Sequence, residues 1–156
     1  MTQKYSFELF ADYFQFYIQD ETVSGDLSES WTPEAVDRLL AVAHGVIGVG
    51  TVRNMDVPVE VEILASAPTE TFEWWDRVNE CSLHLPSGRA VVAGCTDYFP
   101  DAARIELAPD VYRARIYYGN LETISGDALE GNDHYRIALW PAREGSVVQL
   151  KIPRVA

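Results

Sequence analysis

The chain has 156 residues, of which 47% are hydrophobic and 23% charged, and its formal net charge is -12 at pH 7. This length predicts a single domain over residues 1–156 with a core of its own, and the composition excludes a disordered chain. The N-terminus lacks the cationic start of a signal peptide, and no apolar run approaches the roughly 18 residues of a membrane helix, which predicts a cytoplasmic protein with no membrane partner.

The negative charge lies mainly in the first half of the chain. Residues 1–80 contain 15 acids and 4 bases, whereas the remainder contains 9 acids and 8 bases. Between Lys4 and Arg38 there are eight acids and no base. Such a field repels nucleic acid and attracts basic proteins. A solvated surface that only keeps the protein in solution is the simpler alternative.

The first predicted elements are an aromatic strand and, after an acidic loop, a helix. In FQFYI, residues 14–18, apolar and polar side chains alternate as in a strand. The stretch WTPEAVDRLLAVAHG predicts a helix over about residues 32–44, because Thr32 suits the N-cap, Pro33 the first turn and Gly45 the end. Its apolar face would contain Val36, Leu39, Leu40 and Ala43.

Beyond residue 45 apolar residues recur at every second position, which is typical of strands. About eight short strands separated by turn residues, with one early helix, predict a mainly β protein. The predicted fold is an antiparallel two-sheet β-sandwich with one capping α-helix, since a parallel α/β fold would need several helical crossovers.

The two cysteines flank a predicted tight hairpin that turns at residues 86–88. If Leu85 faces Arg89 across this turn, Cys81 and Cys95 are displaced by two residues, which disfavours a disulfide. The sequence therefore predicts two reduced, buried thiols.

No motif predicts a cofactor, a metal site or a catalytic residue. Gly45, Gly48 and Gly50 follow a helix and lack the Lys-Ser/Thr of a phosphate loop, so strand glycines are the better interpretation. The three histidines are isolated from one another. Glu60 and Glu62 share one strand face, as paired carboxylates of glycosidases can, although any solvent-facing strand shows this pattern.

Arginines and aromatic residues alternate in the last strands. If YRARIYY pairs with HYRIALWP, three arginines cluster beside Tyr117 and Trp140 on one face. We expect them to pair with Glu60, Glu62 or Glu106. The alternative is a ligand face, for a carbohydrate or another small molecule, formed by Glu60, Glu62, Trp74, Trp75, Arg113, Arg115, Arg136 and Trp140. One of the two adjacent tryptophans should fill the core while the other is partly exposed.

Three segments in the first half carry a family resemblance: FQFYI, WTPEAVDRLLAVAHGVIGV and TVRNMDVPVEVEI. The matching positions are Trp31, Thr32, Glu34, Ala35, Gly45, Arg53 and Asn54. Residues 13–63, about a third of the chain, resemble the bacterial competence protein J family, small inhibitors of a DNA-entry nuclease. The resemblance contains no catalytic signature and implies a nuclease as the partner.

The charge pattern and the resemblance lead to one functional hypothesis. A nuclease groove must be positive to hold phosphates, so an acidic protein can occupy it as a phosphate mimic. We expect a non-enzymatic inhibitor or immunity-type protein that binds a basic protein such as a nuclease or toxin, without binding nucleic acid. Trp31 is a candidate aromatic anchor, although it could instead staple the helix start. The expected contact residues are Asp20, Glu21, Asp26, Glu29, Trp31, Glu34 and Asp37.

Overall fold

The computed structural model describes residues 2–153. In this part of the chain one α-helix, α1 (Pro33–Arg38), accompanies eleven strands. In chain order the strands are β1 (Gln3–Phe10), β2 (Gln15–Asp20), β3 (Leu40–Ala43), β4 (Val46–Gly50), β5 (Asp56–Ile63), β6 (Arg77–Leu85), β7 (Arg89–Gly94), β8 (Ala103–Glu106), β9 (Asp110–Gly119), β10 (His134–Pro141) and β11 (Val148–Lys151).

The strands form two sheets that pack face to face. The six-stranded sheet has the order β1-β5-β10-β9-β6-β11, and the five-stranded sheet has the order β3-β4-β2-β7-β8. This confirms the predicted mainly β sandwich with one helix. One detail differs, because β5 and β10 pair in parallel, whereas every other strand pair within residues 2–153 is antiparallel.

Alternating side chains from both sheets fill the space between them. In β5 the valines at 57, 59 and 61 are buried in this core. Phe16 of the five-stranded sheet packs edge-on against Tyr135 of the six-stranded sheet, with ring centroids 5.9 Å apart. Tyr112, Ala114, Ile116 and Tyr118 of β9 also face this core, so the intervening arginines face outward, as the alternation predicted.

Helix α1 is much shorter than the predicted helix over 32–44. The N-cap is correct, since Thr32 accepts a hydrogen bond from the Ala35 amide at 3.2 Å. The helix ends at Arg38, and Leu39 takes a left-handed conformation with φ 63°. Residues 40–43 instead form β3, which pairs with β4 and buries Leu40 completely. Sheet hydrogen bonds and burial therefore outweigh the helical pattern, and Val36 is left 55% exposed.

The predicted hairpin at residues 86–88 is wrong, because its two strands belong to different sheets. The local turn forms, with the Gly88 amide donating to the Leu85 carbonyl at 3.1 Å and Gly88 at φ 70°. However, β6 pairs with β9 and β11, whereas β7 pairs with β2 and β8. Both cysteines are free thiols, but only Cys81 is buried and Cys95 is exposed, which corrects the prediction of two buried thiols.

Candidate protein-binding surface

Arg113 and Arg115 project from the outer face of the six-stranded sheet and share one carboxylate. Their Nε atoms donate to the two oxygens of Glu80 on the neighbouring strand β6, at 3.1 and 3.0 Å. Arg113 also donates to the Gly145 carbonyl at 2.9 Å, and Arg115 to the Pro68 carbonyl at 3.0 Å. These two arginines therefore hold the loops that cover the sheet.

Arg136 is engaged in the same way by two other acids. It pairs with Glu62 of β5 and with Glu70, and its guanidinium lies 4.7 Å from the ring centroid of Tyr117. Burial alone would lower the pKa of Arg136, but the two carboxylates more than offset this and raise it. The predicted arginine cluster is confirmed, and Glu62 is one of its predicted partners.

The other two predicted partners form no salt bridge with these arginines, although Glu60 lies opposite Arg136 in the β5–β10 pair. Glu60 is 3.8 Å from the ammonium group of Lys4, and Glu106 lies opposite Arg89 in the five-stranded sheet. Sequence reasoning missed Glu80, because its pairing with the arginines depends on β6 lying next to β9. The only sequence signal for Glu80 was its place in the NECSLHL strand, where it alternates with apolar residues and therefore faces away from the core.

The residues of the alternative ligand face mostly meet on this outer surface, but little of it is open. Trp140 is 6% exposed and lies beneath Arg115, with 5.1 Å between guanidinium and ring centroid. Trp75 is half-buried and packs against Tyr117 outside the core between the sheets, whereas Trp74 is 82% exposed, so neither tryptophan fills that core. A cavity of about 270 Å³ remains beside Trp75.

Two of the seven expected contact residues have internal roles instead. Asp20 is fully buried, and its carboxylate accepts hydrogen bonds from the amide and hydroxyl groups of Thr22 and Ser87. Burial would raise the pKa of Asp20, but these hydrogen bonds outweigh it and lower the pKa. Glu21 pairs with Arg89 and Arg104, whose hydrogen bonds lower its pKa. Asp20 therefore does not face a partner, which corrects the expectation for this residue, whereas Glu21 keeps 29% of its side chain exposed.

The other five expected residues remain on or near the surface. Asp26, Glu29, Glu34 and Asp37 are exposed, and within residues 2–153 none of these four forms a salt bridge. Trp31 is half-buried, and its Nε1 donates to Gln15 at 3.0 Å. Its ring packs over Gly48, where a Cβ atom would come within 3.0 Å of it. This contact agrees with the interpretation of Gly48 as a strand glycine that lets another side chain approach the backbone closely.

The protein's cations are therefore largely taken up by its own carboxylates. Within residues 2–153, seven lysines and arginines lie within 4.0 Å of a carboxylate: Lys4, Arg53, Arg89, Arg104, Arg113, Arg115 and Arg136. They engage only six acids, namely Glu21, Glu60, Glu62, Glu70, Glu80 and Asp133. The exposed acids at residues 26–37 form no salt bridge with the described cations, although Arg77 donates to the backbone carbonyl of Asp37 at 2.6 Å.

The fold resembles that of ComJ. The structure of ComJ from Bacillus subtilis, an inhibitor of the DNA degrading activity of NucA, superposes with a TM-score of 0.72 and 18% sequence identity. The match covers 91% of this chain and 99% of ComJ, so the structural resemblance extends well beyond residues 13–63. At this identity the match to ComJ shows a shared fold.

A second solved structure shares the fold. The product of crocagin biosynthetic gene J superposes with a TM-score of 0.63 and 24% identity, over 92% of this chain and 99% of that chain. No protein-family model and no curated protein sequence matches the chain. ComJ and the crocagin biosynthetic protein thus both share the sandwich fold of this chain.

Two further observations concern the described part of the chain. Residues 2–153 contain no group of three or more histidine, cysteine, aspartate or glutamate side chains placed to hold a metal ion. No helix among them is long and apolar enough to cross a membrane.

Proposed function

We propose that this protein is a non-enzymatic inhibitor that binds a basic protein, and that its partner is a nuclease. The observation that carries this proposal is the distribution of charge. Arg113, Arg115 and Arg136 face carboxylates of the protein itself. In contrast, the exposed acids Asp26, Glu29, Glu34 and Asp37 form no salt bridge within residues 2–153. The molecule thus keeps a strong negative field available for a partner.

This field suits a nuclease for a physical reason. A nuclease must hold the phosphates of DNA, so its active-site groove carries Lys and Arg side chains or metal ions. An acidic segment can occupy such a groove in place of the phosphate backbone, and long-range attraction speeds the encounter. Because ComJ inhibits the DNA degrading activity of NucA, the shared fold supports the same class of partner here.

The experiment that tests this proposal uses the protein as an affinity matrix. A low-salt lysate of the source cells is passed over the immobilised protein and eluted with a salt gradient, and each fraction is assayed for DNA degradation. We expect a DNA-degrading fraction to elute at moderate salt, and excess soluble protein to suppress its activity. Mass spectrometry of that fraction then identifies the nuclease.

Two variants of equal net charge show whether the acidic segment is the contact. The first, D26N/E29Q/E34Q/D37N, should retain much less of the nuclease. The matched control, D101N/E106Q/E122Q/E130Q, neutralises four exposed acids of the second half and should retain it as the wild type does. An eluate without DNA-degrading activity would overturn the proposed function, and equal losses by both variants would overturn the role of residues 26–37.

A further inference from the structure

Exposed apolar side chains concentrate at one end of the sandwich. Within residues 2–153, twelve large hydrophobic side chains are exposed, and six of them belong to three adjoining segments: Phe10, Tyr13, Phe14, Val36, Val52 and Met55. Backbone hydrogen bonds join these segments, from Thr51 to Phe14 at 2.8 Å and from Ala11 to Met55 at 3.0 Å. A third, from Gly50 to Leu39 at 2.9 Å, brings the end of helix α1 beside them.

These segments enclose a groove of about 490 Å³, which we term the corner groove. Its apolar lining comprises Tyr13, Phe14, Trp31, Val36 and Leu39. One wall is the turn between β1 and β2, and the other is helix α1. Contiguous exposed apolar surface of this kind is typical of a protein-binding site.

The groove is also the place where the backbone is most strained. Five residues other than glycine have positive φ within residues 2–153, and three of them line the groove: Tyr13 at 58°, Phe14 at 61° and Leu39 at 63°. Bulky side chains disfavour this conformation. At Tyr13 the strain turns an aromatic ring outward, where it is 68% exposed and contributes little to the core. Such strain is characteristic of functional positions.

Acidic residues adjoin the apolar lining. Asp12 precedes Tyr13, Asp56 follows Met55, and Glu34 and Asp37 flank Val36 on the helix. Of the cations in the same segments, Arg53 lies 2.7 Å from buried Asp133, whereas Arg38 donates to the Leu40 carbonyl at 2.9 Å and keeps its charge. Arg77 approaches the helix end and donates to the Asp37 carbonyl at 2.6 Å. The surroundings of the groove are therefore predominantly negative.

We propose that the corner groove is the docking surface for a basic protein that inserts an apolar side chain flanked by lysine or arginine. The apolar lining would bind the inserted side chain, and the neighbouring acids would pair with the flanking cations. A second copy of this chain fits poorly, because a symmetric contact would bring one acidic rim against another. The proposal deepens the proposed function by naming the contact surface. It rests on the proposed function only in assuming that the basic partner is a nuclease.

A pair of small probes tests the chemistry of the groove without the partner. 4-Phenylbutylamine and 4-phenylbutyrate carry the same apolar group with opposite charges at pH 7. We expect the amine to shift NMR signals of Tyr13, Phe14, Trp31 and Val36 at millimolar concentration, and the carboxylate to bind at least fivefold more weakly. If neither probe binds there, or both bind equally, the proposed chemistry of the groove is wrong.

The variant Tyr13→Asn separates binding from folding. Asparagine tolerates a positive φ, so the Tm of this variant should not fall, while its affinity for the amine drops at least fivefold. The matched control is Tyr98→Asn, which removes another exposed aromatic ring, 71% exposed, from outside the groove. The control should bind the amine as the wild type does. Unchanged binding by Tyr13→Asn would overturn the proposal.

The affinity matrix distinguishes failure of this proposal from failure of the proposed function. If wild-type protein retains no nuclease, the proposed function fails, and the two probes still decide the chemistry of the groove. If Tyr13→Asn retains the nuclease as well as wild type does, the docking surface is wrong and the proposed function stands. A wild-type dimer that dissociates in Tyr13→Asn would assign the groove to a second copy and overturn the proposal.

Discussion

Glu80 accepts hydrogen bonds from two arginines at once, and this arrangement engages cations of an acidic protein within its own structure. The side chains of Arg113, Arg115 and Glu80 are only 10%, 12% and 16% exposed. Each guanidinium also donates to a carbonyl of a covering loop, so few of its donors are open to solvent. Arg113 and Arg115 therefore serve the protein's own structure. Cross-strand pairing with a carboxylate was predicted for them, but their partner is Glu80 rather than Glu60 or Glu106.

We expect Glu80→Gln to lower the free energy of unfolding by about 2 kcal/mol, because two partly buried guanidinium groups lose their shared counter-charge. Urea unfolding at pH 7 measures this change. The exposed residue Glu106 provides the control, since Glu106→Gln should change stability by less than about 0.5 kcal/mol. A cost at Glu80 no larger than that of the control would show that this ion-pair network contributes little.

The two free thiols should differ strongly in reactivity. Burial raises the pKa of Cys81 to about 12, so it has almost no thiolate at pH 8, whereas Cys95 is exposed to reagent. We expect a disulfide reagent at pH 8 to modify one thiol per chain in the native protein and two in 6 M guanidinium. The variant Cys95→Ser should abolish the native reaction. Rapid modification of both thiols would contradict the buried position of Cys81.

At the scale of elements, alternation predicted side-chain faces well and sheet membership poorly. Tyr112 to Tyr118 and Tyr135 to Leu139 point inward at alternate positions as expected. Alternation is the same for a hairpin and for a chain that crosses between sheets, so it could not assign β6 and β7 to different sheets. The helix prediction failed after Arg38 for a different reason, because residues 40–43 pair with the adjacent strand β4 in a tight hairpin. Gly45, which was interpreted as the end of the helix, lies in the turn of this hairpin with φ 73°.

The same limit applies to the acidic segment. Sequence spacing identified the acids, but not that Asp20 turns inward to bind Ser87, which is 67 residues away in the chain. Sequence reasoning also missed the exposed aromatic side chains of the corner groove. FQFYI was predicted as a strand from Phe14, whereas Tyr13 and Phe14 lie in a turn with positive φ and β2 begins at Gln15. Local patterns cannot reveal where the chain accepts backbone strain.

Asp20 links the end of β2 to the turn that connects the sheets, which gives a prediction on stability and pH. Its pKa in the folded protein lies below its ordinary value of 3.8, so its contribution is present above about pH 4 and is lost as the pH falls through the folded pKa. We expect Asp20→Asn to lower unfolding free energy at pH 7 by about 2 kcal/mol, since Asn cannot accept all four hydrogen bonds.

Urea unfolding at pH 7, 5 and 3 checks the sign of this effect. The difference between wild type and Asp20→Asn should be similar at pH 7 and 5 and smaller at pH 3. Asp127→Asn serves as a control, because this exposed carboxylate bonds only within its own loop and should cost less at pH 7. A difference that grows on acidification would contradict the assigned hydrogen bonds.

At the scale of the whole molecule, the internal pairing of cations leaves surplus acids that repel one another. With a formal net charge of -12, exposed acids such as those at residues 26–37 raise the energy of the folded chain. Under the proposed function, a basic partner would relieve this repulsion, so the charges that reduce stability would favour association. Stability and binding would then be coupled through one set of side chains.

The coupling predicts that salt stabilises the free protein. Raising NaCl from 20 to 300 mM shortens the Debye length to less than about 10 Å and screens the surface repulsion, while partly buried pairs such as Arg113–Glu80 are screened less. We expect a Tm increase of about 3 °C in wild type and a smaller one in D26N/E29Q/E34Q/D37N, measured by thermal unfolding at pH 7. KCl should act as NaCl does if the effect is screening. A Tm that falls with salt would mean that exposed ion pairs outweigh the repulsion, and the acidic segment would then hold no energy for a partner to release.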